Sequence, residues 1–493
     1  HDVSGTDDTA QFNTGYGLTA LDAITTGDRN TALGYGAGGA NTTGGSNTAV
    51  GMSALTANTT GGSNTAVGRD ALQSNSTASQ NTAVGYGAAR DTTTGQNNVA
   101  VGYLSLEENI SGSENIAIGF QALENPDTED NNLAIGYEAL GGAIAGGEYN
   151  VSIGNYTLDA LTMSGGTVGN VAIGWKALTA ATGEYNTAVG DQAGLIVSSG
   201  VRNMAIGAGA LINADTENDN MAFGADTLAG AINGGEFNIA IGRQALDALT
   251  SGDHNVVMGY QNATGLTTGK ENTVIGSSAG YNLTSGEQNS AFGRRSGEAV
   301  TTGTDNTTVG YMAGFNLTEG GGNICIGSGT SVAQATNDFQ MAIGFEIDAG
   351  PNEIAIGKSG AKLTNNFTSG SSWSQSSDER LKTDIESDNL GLDFINELRT
   401  VKYKWKDTTT LPDELYDHKT KETAKDVNQI HSGFIAQEVK QALDQVGANA
   451  EHYKVWDIER DGAQSISKEC FVMPLVKAVQ ELSAQVTTLQ QEL

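Results

Sequence analysis

Residues 115–123 read NIAIGFQAL, and the phrase returns 17 residues later as NLAIGYEAL at 132–140. Working outward from this pair, the pattern Asn-x-small-aliphatic-Gly begins at Asn30 and recurs every 17 residues through Asn132. After small changes of register it resumes at Asn150, Asn170 and Asn186 and runs on to Asn323, giving 18 clear copies. Degenerate copies begin at Asn13, Gln340 and Glu353. A short fixed period of this kind is the mark of a chain built from stacked repeats.

Seventeen residues cannot hold two packed helices, and the phrase has no helical periodicity. It alternates instead. The second and fourth positions are aliphatic or Thr (Ile116 and Ile118, Leu133 and Ile135) and the third is small (Ala117, Ala134). Period two puts the second and fourth side chains on one face of a strand and the small residue on the other. The following Gly allows a bend or a close backbone approach. A second short segment, Ala122-Leu123 or Ala139-Leu140, supplies an inward apolar residue before a Gly/Asn/Thr turn. Each repeat is therefore one coil of a parallel β-solenoid, stacked by backbone hydrogen bonds on its neighbours. At about 4.8 Å per coil the stack is roughly 95 Å long. Counting the two strand aliphatics and the Leu, a coil has three sizeable apolar side chains. That core is thin, so the remaining face is expected to pack on other chains.

Composition agrees with this architecture and excludes others. The 493 residues include 67 Gly and only 4 Pro, with 6% aromatic and 17% charged residues. Many turns and small packed side chains suit a solenoid better than a disordered chain or an ordinary globular enzyme. The net charge is −32, and residues 1–370 hold 11 basic against 35 acidic side chains, a balance of −24. Such a surface repels nucleic acid and anionic membranes and keeps an exposed rod soluble. No apolar run approaches the ~18 residues that a membrane span needs. Cys325 and Cys470 lie in different modules and suggest neither a disulfide framework nor a zinc site; Cys325 stands where other copies have Ala. No signal peptide is apparent, and the repeat register starts close to His1, so an upstream attachment region is expected beyond this sequence.

The units NTAVGYGAL and NIAIGFQAL resemble the head repeats of YadA-like trimeric adhesins and, more closely, the repeat shafts of phage tail fibres. The resemblance covers residues 13–357 and implies a three-chain left-handed β-roll. The 17-residue period departs from the shorter adhesin repeat.

Near residue 365 the repeats stop. A polar stretch, TNNFTSGSSWSQSS, leads into charged sequence containing aromatics. We assign 1–364 to the shaft, 365–376 to a linker and 377–493 to a small α+β domain. VKYKW (401–405) and YKVWDI (453–458) are expected strands, and GFIAQEVKQAL (433–443) a strand running into a helix. Val472, Leu475, Val479, Leu482, Val486, Leu489 and Leu493 follow the a/d spacing of a coiled-coil helix. Val at a with Leu at d favours two strands, whereas the shaft resemblance implies three chains. The fold class expected is mostly β: a trimeric parallel β-solenoid shaft with a C-terminal α+β domain ending in a coiled-coil helix.

SDERLKTDI, VKYKW, HSGFIAQEV and MPLVKAVQEL, in that order, are similar to the endosialidase-type intramolecular chaperone, the S74 peptidase family, over most of 376–493. The resemblance implies a domain that registers three chains and then cuts itself off between Ser376 and Ser377, with Ser377 as nucleophile and Lys382 as its base. A lysine can serve as base when burial or nearby positive charge favours its neutral form. Five residues apart, the two do not share a helix face, so Ser377 is placed at a cap or in the preceding loop. Arg380 is a candidate source of positive charge or an oxyanion contact. His431 is either an assisting group or a structural hydrogen-bonding residue. The rival reading of SDERLK is an N-cap Ser followed by Asp378 and Glu379 at a helix N-terminus.

Acidic turns such as NPDTEDNN and NADTENDN raise calcium binding, but the repeat motif that binds it is missing, so they are read as ordinary turns and no metal or cofactor is assigned. An ice-binding face would need a flat Thr array, and these turns vary too much. The function expected is a structural, receptor-binding tail fibre on the virion, extracellular after release. It is a homotrimer attached to an upstream tail or baseplate protein and engages a host surface receptor or glycan, with no membrane insertion. At most it is a single-turnover serine endopeptidase. The alternatives are a tailspike enzyme that degrades host polysaccharide, or a bacterial trimeric adhesin.

Overall fold

A computed structural model describes residues 10–142, 146–160, 169–368, 379, 382–407, 410–412, 415, 429–450, 453, 455–459 and 462–492. The chain divides into two compact units, His1–Gln375 and Ser376–Leu493.

The first unit is a parallel β-solenoid. A three-residue strand follows each repeat Asn, from Thr14–Tyr16 to Ile324–Ile326, and the degenerate copies continue the stack as Met341–Phe345 and Glu353–Lys358. All join one 22-stranded sheet. The register is one coil per step, Ile116 opposite Leu133, Ala117 opposite Ala134 and Ile118 opposite Ile135. Ala361–Asn366 ends the sheet by folding back antiparallel on Glu353–Lys358.

The strand faces are reversed from the core expected above. Ala117 is fully buried, while Ile116 and Ile118 stay 38% and 37% exposed. The reason is width. In the coil that Asn115 opens, the interior is filled by Ala117, Ala122 and the single larger side chain Leu123. The bulkier aliphatics must point outward.

Asn starts each coil because its backbone N–H and its carboxamide together join three coils. The Asn115 backbone N–H donates to Asn98 Oδ1 at 2.9 Å, its Nδ2 donates to the Glu129 carbonyl at 2.7 Å, and its Oδ1 accepts the Asn132 N–H at 2.9 Å. Buried backbone groups are thereby satisfied where the chain turns into the strand. The Gly that closes each strand is obligatory. At Gly119, φ is +143° and an added Cβ would lie 2.1 Å from the Gly136 carbonyl oxygen.

The corner after that Gly is not a strand, yet its ladder continues. Gln121 and Leu123 hold φ of 51° and 49°, which points alternate N–H groups up and down the stack. Gln121 N–H donates to Tyr103 O and Leu123 N–H to Ala139 O, both at 2.9 Å.

Two acidic turns have a specific task. Glu129 and Glu217 are buried. Glu217 accepts the N–H groups of Asp215, Thr216 and Gly234 at 2.9, 3.0 and 2.8 Å. Glu129 does the same for Asp127, Thr128 and Gly146. Each precedes a coil one residue longer than the standard 17, Asn132 to Asn150 and Asn220 to Asn238, and the carboxylate takes up an N–H of that longer coil.

The second unit contains helices Leu392–Glu397, Ala436–Gln445 and Val472–Glu492 and two antiparallel strand pairs, Val401–Tyr403 with His431–Gly433 and Trp456–Ile458 with Gln464–Ile466. Its core gathers Leu390, Phe394, Val439, Leu443, Trp456 and Phe471. Of the expected strand at 453–458, Trp456–Ile458 is strand.

Candidate functional site

In the C-terminal unit, pairing of Val401–Tyr403 with His431–Gly433 sets Tyr403 opposite His431. The half-buried His431 ring lies 5.7 Å from the Tyr403 ring and 6.3 Å from Trp405. Two of the sequence blocks, VKYKW and HSGFIAQEV, thus form one aromatic cluster around this histidine. Nearby in sequence, Arg399 Nε donates to Glu438 Oε2 at 3.0 Å and Arg399 Nη2 contacts Glu438 Oε1. This bidentate pair ties the strand entrance to the helix Ala436–Gln445. It holds the Glu438 carboxyl below the usual range, chiefly through the hydrogen bond from Arg399, and raises the Arg399 guanidinium.

Lys382 is exposed in the single chain, and its backbone N–H donates to the Glu379 carbonyl at 3.0 Å. Ser376, Ser377 and Arg380 lie outside the described residues. Of the five sequence-derived site residues, Lys382 and His431 are therefore the two with a described position. The burial that would suit a lysine for base chemistry is not supplied to Lys382 by its own chain's described residues.

The helix Val472–Glu492 is held to its unit by one side. Pro474 and Ala478 are buried, and Glu481 Oε2 accepts the Leu392 N–H at 2.7 Å. Val472, Leu475, Val479, Leu482, Val486 and Leu489, the a/d seam, are all exposed. Leu493 lies outside the described residues.

The shaft presents a comparable face. The fourth repeat position is apolar in every strand from Tyr16 to Ile356, including Leu33, Ile118, Phe223, Met258, Phe292 and Ile326, and none of these side chains is buried. Beside this row, Tyr86, Tyr103, Phe120 and Tyr137 stack ring on ring at 4.9–5.2 Å with planes within 12°. Sequence reasoning saw the alternation but not this outward row. The signal available was its uniformity, since a strand position facing water would have admitted polar residues in some copies.

Fold and faces together define a parallel β-solenoid shaft followed by an α+β unit that exposes an apolar helix seam. Residues 377–448 match the Peptidase_S74 family model, described as chaperone of endosialidase, and the match begins at Ser377. No curated protein and no solved structure matches the chain. Among the described residues, no helix is long and apolar enough to cross a membrane.

Proposed function

We propose that this chain is a structural, receptor-binding fibre of a phage tail, assembled as a homotrimer by its C-terminal intramolecular chaperone. The observation that carries the reading is the outward apolar row along the shaft. Contiguous exposed apolar surface of that length is not left to water, and a second and third copy of the same shaft offer a matching row at the same 17-residue spacing. The match of 377–448 to the chaperone of endosialidase supports the assembly role. An upstream tail or baseplate protein and a host surface receptor or glycan complete the reading, which places the fibre on the virion.

The chaperone answers a physical problem. Near-identical coils pair almost as well when slipped by one repeat, so the shaft cannot set its own inter-chain register. A non-repetitive domain that associates first, through the Val472–Glu492 seam, fixes it. Release then needs one peptide hydrolysis. Ser377 Oγ, deprotonated by Lys382, attacks the Ser376 carbonyl carbon. An ester forms as the C–N bond breaks, and the Ser377 amine leaves with a proton. Water then hydrolyses the ester, returning the hydroxyl and freeing the Ser376 carboxylate. In this scheme neighbouring chains cover Lys382, so cutting waits for assembly.

Denaturing gels of the wild type beside Ser377→Ala test this maturation. A wild-type band of about three quarters of the chain length, missing from the variant, supports it; identical full-length bands from both would remove it.

A further inference from the structure

The row of residues after the strand Gly holds Tyr311, then Ser328, then Phe345 in successive coils. The coils are in register here, Gly329 N–H donating to Tyr311 O and Glu346 N–H to Ser328 O, both at 2.9 Å. In the Tyr86–Tyr137 ladder the corresponding positions are filled by rings in contact. Here one rung is missing. Arg294 lies over the Tyr311 ring, 5.7 Å from its centroid, so the residue stacked from the preceding coil is present and the following one is not.

Beside Ser328 lies a cleft of ≈ 540 Å³, and its lining includes Tyr311, Phe315, Ser328, Gly329, Glu346 and Asp348. Tyr311 and Phe315 are each 45% exposed, an apolar wall for a ligand. The Glu346 side chain lies against Gly329, where an added Cβ would sit 3.1 Å from its Cγ. Asp348 stands on the rim, where Lys362 Nζ lies 3.7 Å from its Oδ1 and donates to its carbonyl at 2.7 Å.

We propose that this cleft binds one ring of a neutral or amine-bearing saccharide, which deepens the receptor-binding reading above and rests on it. A pyranose has an apolar C–H face suited to Tyr311 and a hydroxyl edge suited to acceptors. Hydroxyls donating to the Glu346 and Asp348 carboxylates make charge-assisted hydrogen bonds. A flat hydrocarbon would cover the Glu346 carboxylate without offering it a hydrogen bond, at a cost. An acidic sugar would meet two carboxylates on a shaft with a charge balance of −24.

The test uses the full chain with the methyl glycosides of glucose, galactose, mannose, N-acetylglucosamine and glucosamine, against glucuronic and sialic acids, read by saturation-transfer NMR. The expected result is transfer to at least one neutral or amino sugar and none to the acids. Ser328→Tyr restores the ladder rung and fills the cleft. It should abolish transfer at least tenfold while leaving protease resistance of the shaft equal to wild type or higher. Tyr311→Ser should lower transfer similarly. No transfer to any neutral or amino sugar, or transfer unchanged in Ser328→Tyr, overturns the proposal. If the fibre still adsorbs to host cells in that event, the receptor-binding reading survives with its site elsewhere.

Discussion

The side-chain oxygen of Asn81 accepts the backbone N–H of Asn98, 17 residues on, at 2.8 Å, while Asn81 Nδ2 donates to the Gly95 carbonyl at 2.8 Å. One buried carboxamide thus satisfies two backbone groups that no strand partner reaches. Asn81→Ala orphans both, at a cost of about 2–4 kcal/mol. Because coils interact only with neighbours, the loss stays local. Hydrogen exchange should show protection falling around residues 64–98 and unchanged beyond residue 200. Uniform weakening of the whole shaft would contradict the nearest-neighbour picture.

The reversed strand faces make a paired prediction. Ala117→Leu forces bulk into a filled coil and should cost about 1–3 kcal/mol even in a separated chain. Ile118→Ser changes an outward residue, so a single coil should tolerate it, while association between chains weakens. Thermal unfolding of monomeric and assembled material distinguishes them. Equal effects in both states for both variants would show that the rows are misassigned.

Glu217→Ala should cost about 2–4 kcal/mol, since three N–H groups lose their acceptor at a buried site. Glu217→Gln keeps one acceptor oxygen and should lose less. Exchange protection of Asp215, Thr216 and Gly234 is the readout, and full protection in the alanine variant would refute the role.

Cys325 occupies the Ala position under the strand, and burial pushes its thiol up to about 12, partly opposed by a backbone hydrogen bond from Gly314. The folded value lies above that of an unfolded cysteine near 8.5. Its contribution to stability is therefore complete below about pH 8.5 and is lost as pH rises from there towards 12. Alkylation at pH 8 should label Cys470 and spare Cys325 until the shaft is unfolded. Rapid labelling of Cys325 in intact shaft would contradict its burial.

Much of the shaft is legible in the residues because Asn, Ala and Gly recur at one spacing and each has one physical use there. The direction of the strand faces is not. Alternation says that Ile116 and Ile118 share a side, but which side is inward depends on coil width, a property of the closed loop. The corner is equally hidden, since the left-handed positions are filled by Gln121 and Leu123 rather than by Gly or Asn, the usual markers. In the C-terminal unit, ordered blocks carry the resemblance on which the proposed roles of Ser377 and Lys382 rest, and local patterning finds the helices Ala436–Gln445 and Val472–Glu492 but not Leu392–Glu397. The Arg399–Glu438 and Glu481–Leu392 ties join positions 39 and 89 residues apart, beyond any local signal.

Sedimentation equilibrium of the purified shaft, under native conditions and after cleavage, addresses the proposed assembly most directly. A mass of three chains that falls to one when Ile118, Phe223 and Phe292 are all changed to Ser is the expected result. A stable single chain with the wild-type row open to water would contradict it.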